Sequence, residues 1–181
     1  MRKNTSFIVS GVALILFFAF SQRLEAKKIK STGETENAFY TVWRVADGDT
    51  LKLSNDERVV LAGVDAPEAF LNRKVYDQSR TTGEKMKNIL LKGRYATRYM
   101  RSLVEGQRVR LEPDKRFRDK HDQIIAFVFL EDGTFVNAEI LKQGYAKAVP
   151  VPSEPKYQDM LKQFEQEAKD NKRGLWAYGN I

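Results

Sequence analysis

The sequence predicts an α+β domain built around a small five-stranded Greek-key barrel of the OB type, accompanied by three helices. Short apolar segments alternate with turn dipeptides rich in Gly, Asn and Asp, which is typical of tightly connected strands. Three further segments carry apolar residues at helical spacing. The length of 181 residues suits one domain with one core.

The first three predicted strands form a meander over residues 39–45, 50–53 and 59–64. The dipeptides Asp47-Gly48 and Asn55-Asp56 lie between these strands and are typical of tight turns. Two more strands are predicted over residues 108–111 and 124–130. The almost wholly charged stretch between them, residues 114–122, is predicted to be a mobile loop.

The first predicted helix begins at a capping-box pattern, Thr81 followed by Glu84, and is expected to bend near Gly93. Apolar stripes predict a short helix over residues 136–141 and a C-terminal helix over residues 157–168.

One stretch ahead of the first helix is less informative. Residues 69–80 show no apolar periodicity, so we expect a loop there. The sequence assigns no role to residues 69–91.

The N-terminus is predicted to direct export. Residues 1–26 have the basic start and apolar run of a secretory signal peptide. The apolar run, residues 7–20, is 14 residues long, whereas a membrane span needs roughly 20. Cleavage is therefore favoured over a retained anchor, which would be the one reason to expect membrane contact. Residues 27–37 are a polar linker, residues 38–181 form the domain, and we expect a monomer that is secreted or held in the periplasm or cell envelope.

Composition excludes several kinds of site. The chain has no cysteine and one histidine, His121, which argues against thiolate catalysis, zinc sites and a Ser-His-Asp triad. Its formal net charge of +7 suits an anionic partner such as nucleic acid, although it is equally compatible with ordinary surface charge.

Two acidic clusters carry the chemistry. Asp47-Gly48-Asp49-Thr50 and Asp65-Ala66-Pro67-Glu68 each place carboxylates beside a turn at the end of a strand. Hard cations such as Ca²⁺ prefer carboxylate and carbonyl oxygens, which Asp49, Asp65 and the Ala66 backbone could supply. Glu68 could orient or deprotonate a water molecule. Each motif by itself would be better explained as a plain turn.

Together the motifs resemble the staphylococcal nuclease (thermonuclease) family. The similarity extends in order over residues 39–178 and is carried by segments 45–53, 61–68, 99–106, 132–137, 141–146 and 173–176.

This resemblance implies a five-stranded OB barrel with three helices, the staphylococcal nuclease fold, and Ca²⁺-dependent hydrolysis of DNA and RNA that leaves 3′-phosphate ends. It also implies that Asp49, Asp65 and the Ala66 backbone oxygen bind Ca²⁺, that Asp47 supports these ligands, and that Glu68 is the general base.

The positive half of the family's site is absent from its usual positions. The two catalytic arginines of the family correspond here to Val60 and Gln123. Charge clamps of this kind can be worth roughly 10³–10⁵ in rate, so weakened activity is expected.

Other cations lie near these positions in the sequence. Arg58 shares a strand face with Val60, and Arg118 and Lys120 belong to the charged stretch before Gln123. Lys120 and His121 could also contact substrate, with His121 as a proton donor. The plainer interpretation is that these are solvated surface charges.

Two functions therefore stay open at this point. The first is an exported Ca²⁺-dependent nuclease whose catalytic cation has moved to a new position. The second is a non-catalytic OB-type module in the cell envelope that binds nucleic acid or a protein.

Overall fold

The computed structural model describes residues 38–151 and 155–178; the predictions for the signal peptide and linker lie outside these ranges. The described residues form seven strands: β1 (Phe39–Val45), β2 (Thr50–Leu53), β3 (Arg58–Leu61), β4 (Val64–Asp65), β5 (Arg108–Arg118), β6 (Ile124–Leu130) and β7 (Lys147–Ala148). They also form four α-helices and a closing 3₁₀ turn: α1 (Arg73–Thr82), α2 (Met86–Val104), α3 (Val136–Lys142), α4 (Pro155–Asp170) and Gly174–Tyr178. None of the helices in these ranges is long and apolar enough to cross a membrane.

Five strands close into a barrel in the order β1-β2-β3-β6-β5. The pairing of β3 with β6 is parallel, and the other four pairings of the barrel are antiparallel. The predicted five-stranded OB-type barrel is therefore confirmed. β4 and β7 form a separate two-stranded ribbon.

The barrel core is filled by the apolar side chains that each strand points inward. These fully buried side chains include Val42, Leu51, Val59, Leu111 and Phe127. In β1 and β3 the next residue, Trp43 or Val60, is less buried, as the two-residue period of a strand requires, whereas β6 buries Ala126, Phe127 and Val128 in succession.

One buried polar residue, Asn137, joins α3 to the barrel. Its Oδ1 accepts from the Val128 N–H at 2.9 Å, and its Nδ2 donates to the Ala62 carbonyl at 2.8 Å. Because buried polar groups are costly unless they are hydrogen-bonded, these contacts specify how the helix docks.

The prediction of a loop over residues 69–80 is wrong, because α1 forms there. Asn72 caps the helix by accepting from the Val75 N–H at 3.1 Å, and Gly83 ends it in a left-handed conformation, with φ of 72°. Val75 is its only buried residue, so α1 carries no apolar stripe to indicate a helix. The predicted capping box is also wrong, since Thr81 lies in the last turn of α1.

Two further expectations are corrected. α2 runs through Gly93 without interruption from Met86 to Val104. The prediction of a mobile loop over residues 114–122 is wrong for its first half. β5 continues to Arg118, which pairs with Ile124. A buried Asp114 and an ion pair made by Arg118 explain how such a charged segment joins the sheet.

Candidate active site

Asp49 links the β1–β2 turn to the segment that follows β4. Its Oδ2 accepts from the Ala66 N–H at 2.8 Å, and its Oδ1 accepts from the Thr50 hydroxyl at 3.0 Å. The Asp49 N–H in turn donates to Asp47 Oδ1 at 3.3 Å. The two acidic motifs, which the sequence keeps apart, are therefore joined by one direct hydrogen bond, from the Ala66 N–H to Asp49.

Two glycines allow α2 to support this arrangement. A methyl group on Gly48 would lie 2.6 Å from the side chain of Ala66 and 2.8 Å from that of Ala96. A methyl group on Gly93 would overlap the backbone of Glu68. The turn and the Glu68 segment thus pack directly on one face of α2, at distances that only glycine permits.

Lys74 is a residue of the candidate site that the sequence analysis missed. Its Nζ lies 2.6 Å from Asp65 Oδ1 and 2.8 Å from Glu68 Oε1. The other Glu68 oxygen, Oε2, accepts from Asn72 Nδ2 at 2.7 Å. An Asn at position 72 is a typical helix cap, and this signal could have placed Lys74 in a first helical turn close to Glu68.

The pKa values reflect this crowding of charge. Burial raises the pKa of Asp49 well above its usual value of 3.8, and repulsion by Asp47 adds to the shift, whereas the Ala66 hydrogen bond and Lys74 oppose it. Burial lowers the pKa of Lys74, but the hydrogen bonds to Asp65 and Glu68 outweigh that effect and leave it above its usual value. Lys74 is therefore an ammonium ion at any physiological pH.

The carboxylates of the predicted calcium site are engaged by other groups in this arrangement. Asp49 already accepts from Ala66 and Thr50, and Asp65 and Glu68 are both bound by Lys74. Across residues 38–151 and 155–178, no three acidic, histidine or cysteine side chains are grouped so that they could hold a metal ion. Ca²⁺ prefers six to eight oxygens, which these engaged carboxylates do not offer together.

A groove of about 780 Å³ opens beside the acids. Its lining includes Asp47, Asp49, Thr50, Glu68, Asn72 and Lys74, together with the cationic or polar side chains of Arg44, Lys52, Arg58, His121 and Gln123. Arg58 and His121 are both exposed. The structure therefore brings two of the sequence-predicted side chains, Arg58 and His121, to the same groove as Glu68.

The other two predicted cations are placed differently. Arg118 makes a two-pronged ion pair with Glu57, at 2.9 Å for each nitrogen, and also donates to the Asp122 carbonyl. Lys120 is exposed in the turn between β5 and β6. Neither residue is among those that line the groove.

Two exposed aromatic side chains border the groove, which the sequence analysis also missed. The register of β1 against β2 slips between Val42 and Arg44, so Trp43 is the extra residue of a β-bulge. Trp43 is 62% exposed and Phe70 is 67% exposed. The Lys52 Nζ lies 5.6 Å from the Trp43 ring centre, within cation–π range.

Comparisons with known proteins agree with this architecture. A family described as "Staphylococcal nuclease homologue" matches residues 58–178. The thermonuclease of Staphylococcus intermedius is 30% identical over 181 residues, covering 97% of this chain and 99% of the relative. The thermonuclease of Staphylococcus hyicus is 28% identical, covering 98% and 99%. The SPbeta prophage-derived endonuclease YokF of Bacillus subtilis is 34% identical, covering 76% of this chain and 43% of the relative. This chain belongs to the staphylococcal nuclease family.

Proposed function

We propose that this protein binds nucleic acid in the groove and hydrolyses its phosphodiester bonds beside Glu68, with weakened activity. The observation that carries the proposal is the convergence of Asp49 and Glu68 at a groove that also presents Arg58 and His121. Asp65 lies beside this groove, joined to Glu68 through the shared Lys74 ammonium. The relatives described as thermonucleases and an endonuclease support the same reaction class.

The chemistry that these residues can perform is general-base hydrolysis. Glu68 takes a proton from water, the water oxygen bonds to phosphorus, and the bond from phosphorus to the ester oxygen breaks. The leaving oxygen takes a proton from His121 or from solvent. Arg58 binds a phosphate oxygen on the same side of the groove.

Two features of the structure support weakened activity. Val60 and Gln123 provide no guanidinium where the family resemblance expects one. The Lys74 ammonium lies 2.8 Å from Glu68 Oε1 and must move away before that oxygen can accept a proton from water. Because the carboxylates are engaged in this way, no step of the proposed reaction is assigned to a metal; calcium dependence is a prediction that the assay tests.

A second candidate function is favoured by the aromatic border. Trp43 and Phe70 are exposed beside Arg44, Lys52 and Arg58, and this combination of stacking surfaces and cations is typical of single-strand binding. A protein with this groove and no turnover would be a nucleic-acid-binding module. Binding and hydrolysis share the groove, so the experiment must measure both.

The test uses fluorescently labelled single-stranded DNA and RNA, in millimolar Ca²⁺ or in chelator. We expect the wild type to cleave slowly in Ca²⁺ and not in chelator, and Glu68→Gln not to cleave in either. The control Glu131→Gln, which changes an exposed carboxylate outside the groove lining, should cleave like the wild type. Absence of cleavage under every condition, together with salt-sensitive binding, would leave the binding module. Absence of both would overturn the proposal.

Export and a monomeric state belong to the same proposal. Removal of residues 1–26 is checked by the mass of the protein recovered from an expressing culture and its medium, and the oligomeric state by light scattering.

A further inference from the structure

Helix α1 brings a lysine to the carboxylates of the acidic cluster. Lys74 lies two residues after the cap Asn72, which also hydrogen-bonds to Glu68. A single side chain, Asn72, thus couples the start of the helix to the catalytic carboxylate. Lys74 is therefore presented to Asp65 and Glu68 by a defined helical turn and not by an irregular loop.

The position of Lys74 divides the space around the acids. It lines the groove that contains Asp49 and Glu68, and it also lines a separate pocket of about 340 Å³ that contains Asp65 and Ala66. Its ammonium lies between carboxylates from both spaces, at 2.6 and 2.8 Å. A positive charge in this position joins Asp65, a predicted calcium ligand, to Glu68, the predicted general base.

We propose that Lys74 is the resident cation of this site: its ammonium occupies the position between Asp65 and Glu68, and a divalent metal ion must displace it in order to bind. The inference concerns the same carboxylates as the proposed function, but its test measures cation binding and not cleavage. An absence of cleavage and an unchanged Ca²⁺ affinity are separate results, so the failure of one proposal can be told from the failure of the other.

The physical basis is competition for the same oxygens. The ammonium is tethered to the fold, so its local concentration is high and its binding does not require the capture of a free ion. A divalent ion brings twice the charge and prefers more oxygens than three N–H donors can engage. The Lys74 side chain is 45% exposed, which leaves it room to swing into solvent when a metal ion replaces it.

An ordinary surface ion pair would not have this consequence. Exposed pairs contribute little because both side chains are free to separate. Here Glu68 is also bound by Asn72, and its backbone is packed on Gly93. Glu68 is therefore held in place, and removal of the ammonium would leave its negative charge facing that of Asp65.

The first test compares Lys74→Met with Arg73→Met. The control removes an equal charge from the preceding residue, whose side chain is 95% exposed. Ca²⁺ affinity is measured by calorimetry and by the rise in melting temperature with added Ca²⁺. We expect Lys74→Met to bind at least about tenfold more tightly than the wild type, as removal of a close like charge from a cation site predicts. Arg73→Met should match the wild type.

Equal affinity in the wild type and Lys74→Met would overturn the proposal. So would failure of both proteins to bind Ca²⁺, because the acids would then form no metal site even without the lysine.

A second measurement needs no variant and covers the case in which Lys74→Met fails to fold. Amine acetylation of the wild type is followed residue by residue by mass spectrometry, with and without Ca²⁺. Lys74 should react slowly and become faster with saturating Ca²⁺, while the exposed Lys87 should react equally in both conditions. A Lys74 rate that does not respond to Ca²⁺ would contradict displacement.

Discussion

Gly93 of α2 lies directly against the peptide group that joins Glu68 to Ala69. The absence of a side chain at this point lets the helix support the backbone of Glu68, the proposed general base. This contact explains why a glycine is present in the middle of a 19-residue helix, where it costs about 1 kcal/mol relative to alanine.

Substitution Gly93→Ala is expected to destabilise the protein and to reduce cleavage. Helix propensity alone would stabilise the variant by about 1 kcal/mol. The new methyl group, however, would overlap the Glu68 backbone, and overpacking of this kind costs about 1–3 kcal/mol. Urea unfolding measures the sign, with Arg94→Ala as the control on an exposed position of the same helix. A more stable Gly93→Ala with wild-type cleavage would show that the contact is unimportant.

Substitution Asp49→Asn is expected to stabilise the protein at neutral pH and to have no such effect in acid. The pKa of Asp49 is raised in the folded state by burial and by Asp47, so the unfolded chain ionises first as the pH rises. The wild type therefore loses stability from pH 3.8 upward until the folded-state pKa is passed, and the asparagine variant does not.

Melting temperatures in chelator, from acid to neutral pH, measure this difference, which should grow over that interval and then stay constant. The exposed Asp159→Asn is the control. A difference between Asp49→Asn and the wild type that does not change with pH would contradict the assignment.

The two candidate arginines are expected to differ in what they support. Arg58 is exposed in the groove, so Arg58→Ala should weaken nucleic-acid binding and leave stability unchanged. The slope of log affinity against log salt concentration should fall by about 1, as the loss of one phosphate contact predicts. Arg118→Ala should instead cost about 3 kcal/mol of stability, because its partner Glu57 is buried. Salt-dependent binding and urea unfolding of both variants make the comparison. Normal binding by Arg58→Ala would remove it from the site.

Substitution Trp43→Ala is expected to weaken binding of single-stranded nucleic acid by about 1–3 kcal/mol, the usual contribution of one stacked base. Stability should change little, since the side chain is mostly exposed. Fluorescence anisotropy with short single-stranded DNA and RNA measures the effect. Leu91→Ala removes another exposed apolar side chain, outside the groove lining, as the control. Equal losses in both variants would argue against stacking.

The barrel was predictable because its signals are local. Each strand is an alternating or continuously apolar run of a few residues, and turns such as Asp47-Gly48 lie where consecutive strands reverse. The acidic residues were predictable for the same reason, since each motif combines its carboxylates within four residues. Their direct connection, the hydrogen bond from Ala66 to Asp49, then follows from the barrel that brings the motifs together.

Other features depend on partners far away in the sequence. α1 buries only Val75, so no periodic pattern indicates it, and its placement depends on its caps and on packing beside α2. Arg118 and Glu57 are 61 residues apart, and their pairing keeps a charged segment in the sheet. The bulge that exposes Trp43 is a property of strand register, which two strands decide jointly.

The sequence by itself determined the family, the five-stranded barrel and the acids Asp49, Asp65 and Glu68, because these are written in short contiguous motifs. The tertiary structure alone decided which cation meets them. Lys74 reaches Asp65 and Glu68 because Asn72 starts a helix at the right residue, and the close packing of α2 through Gly93 holds Glu68 within its range.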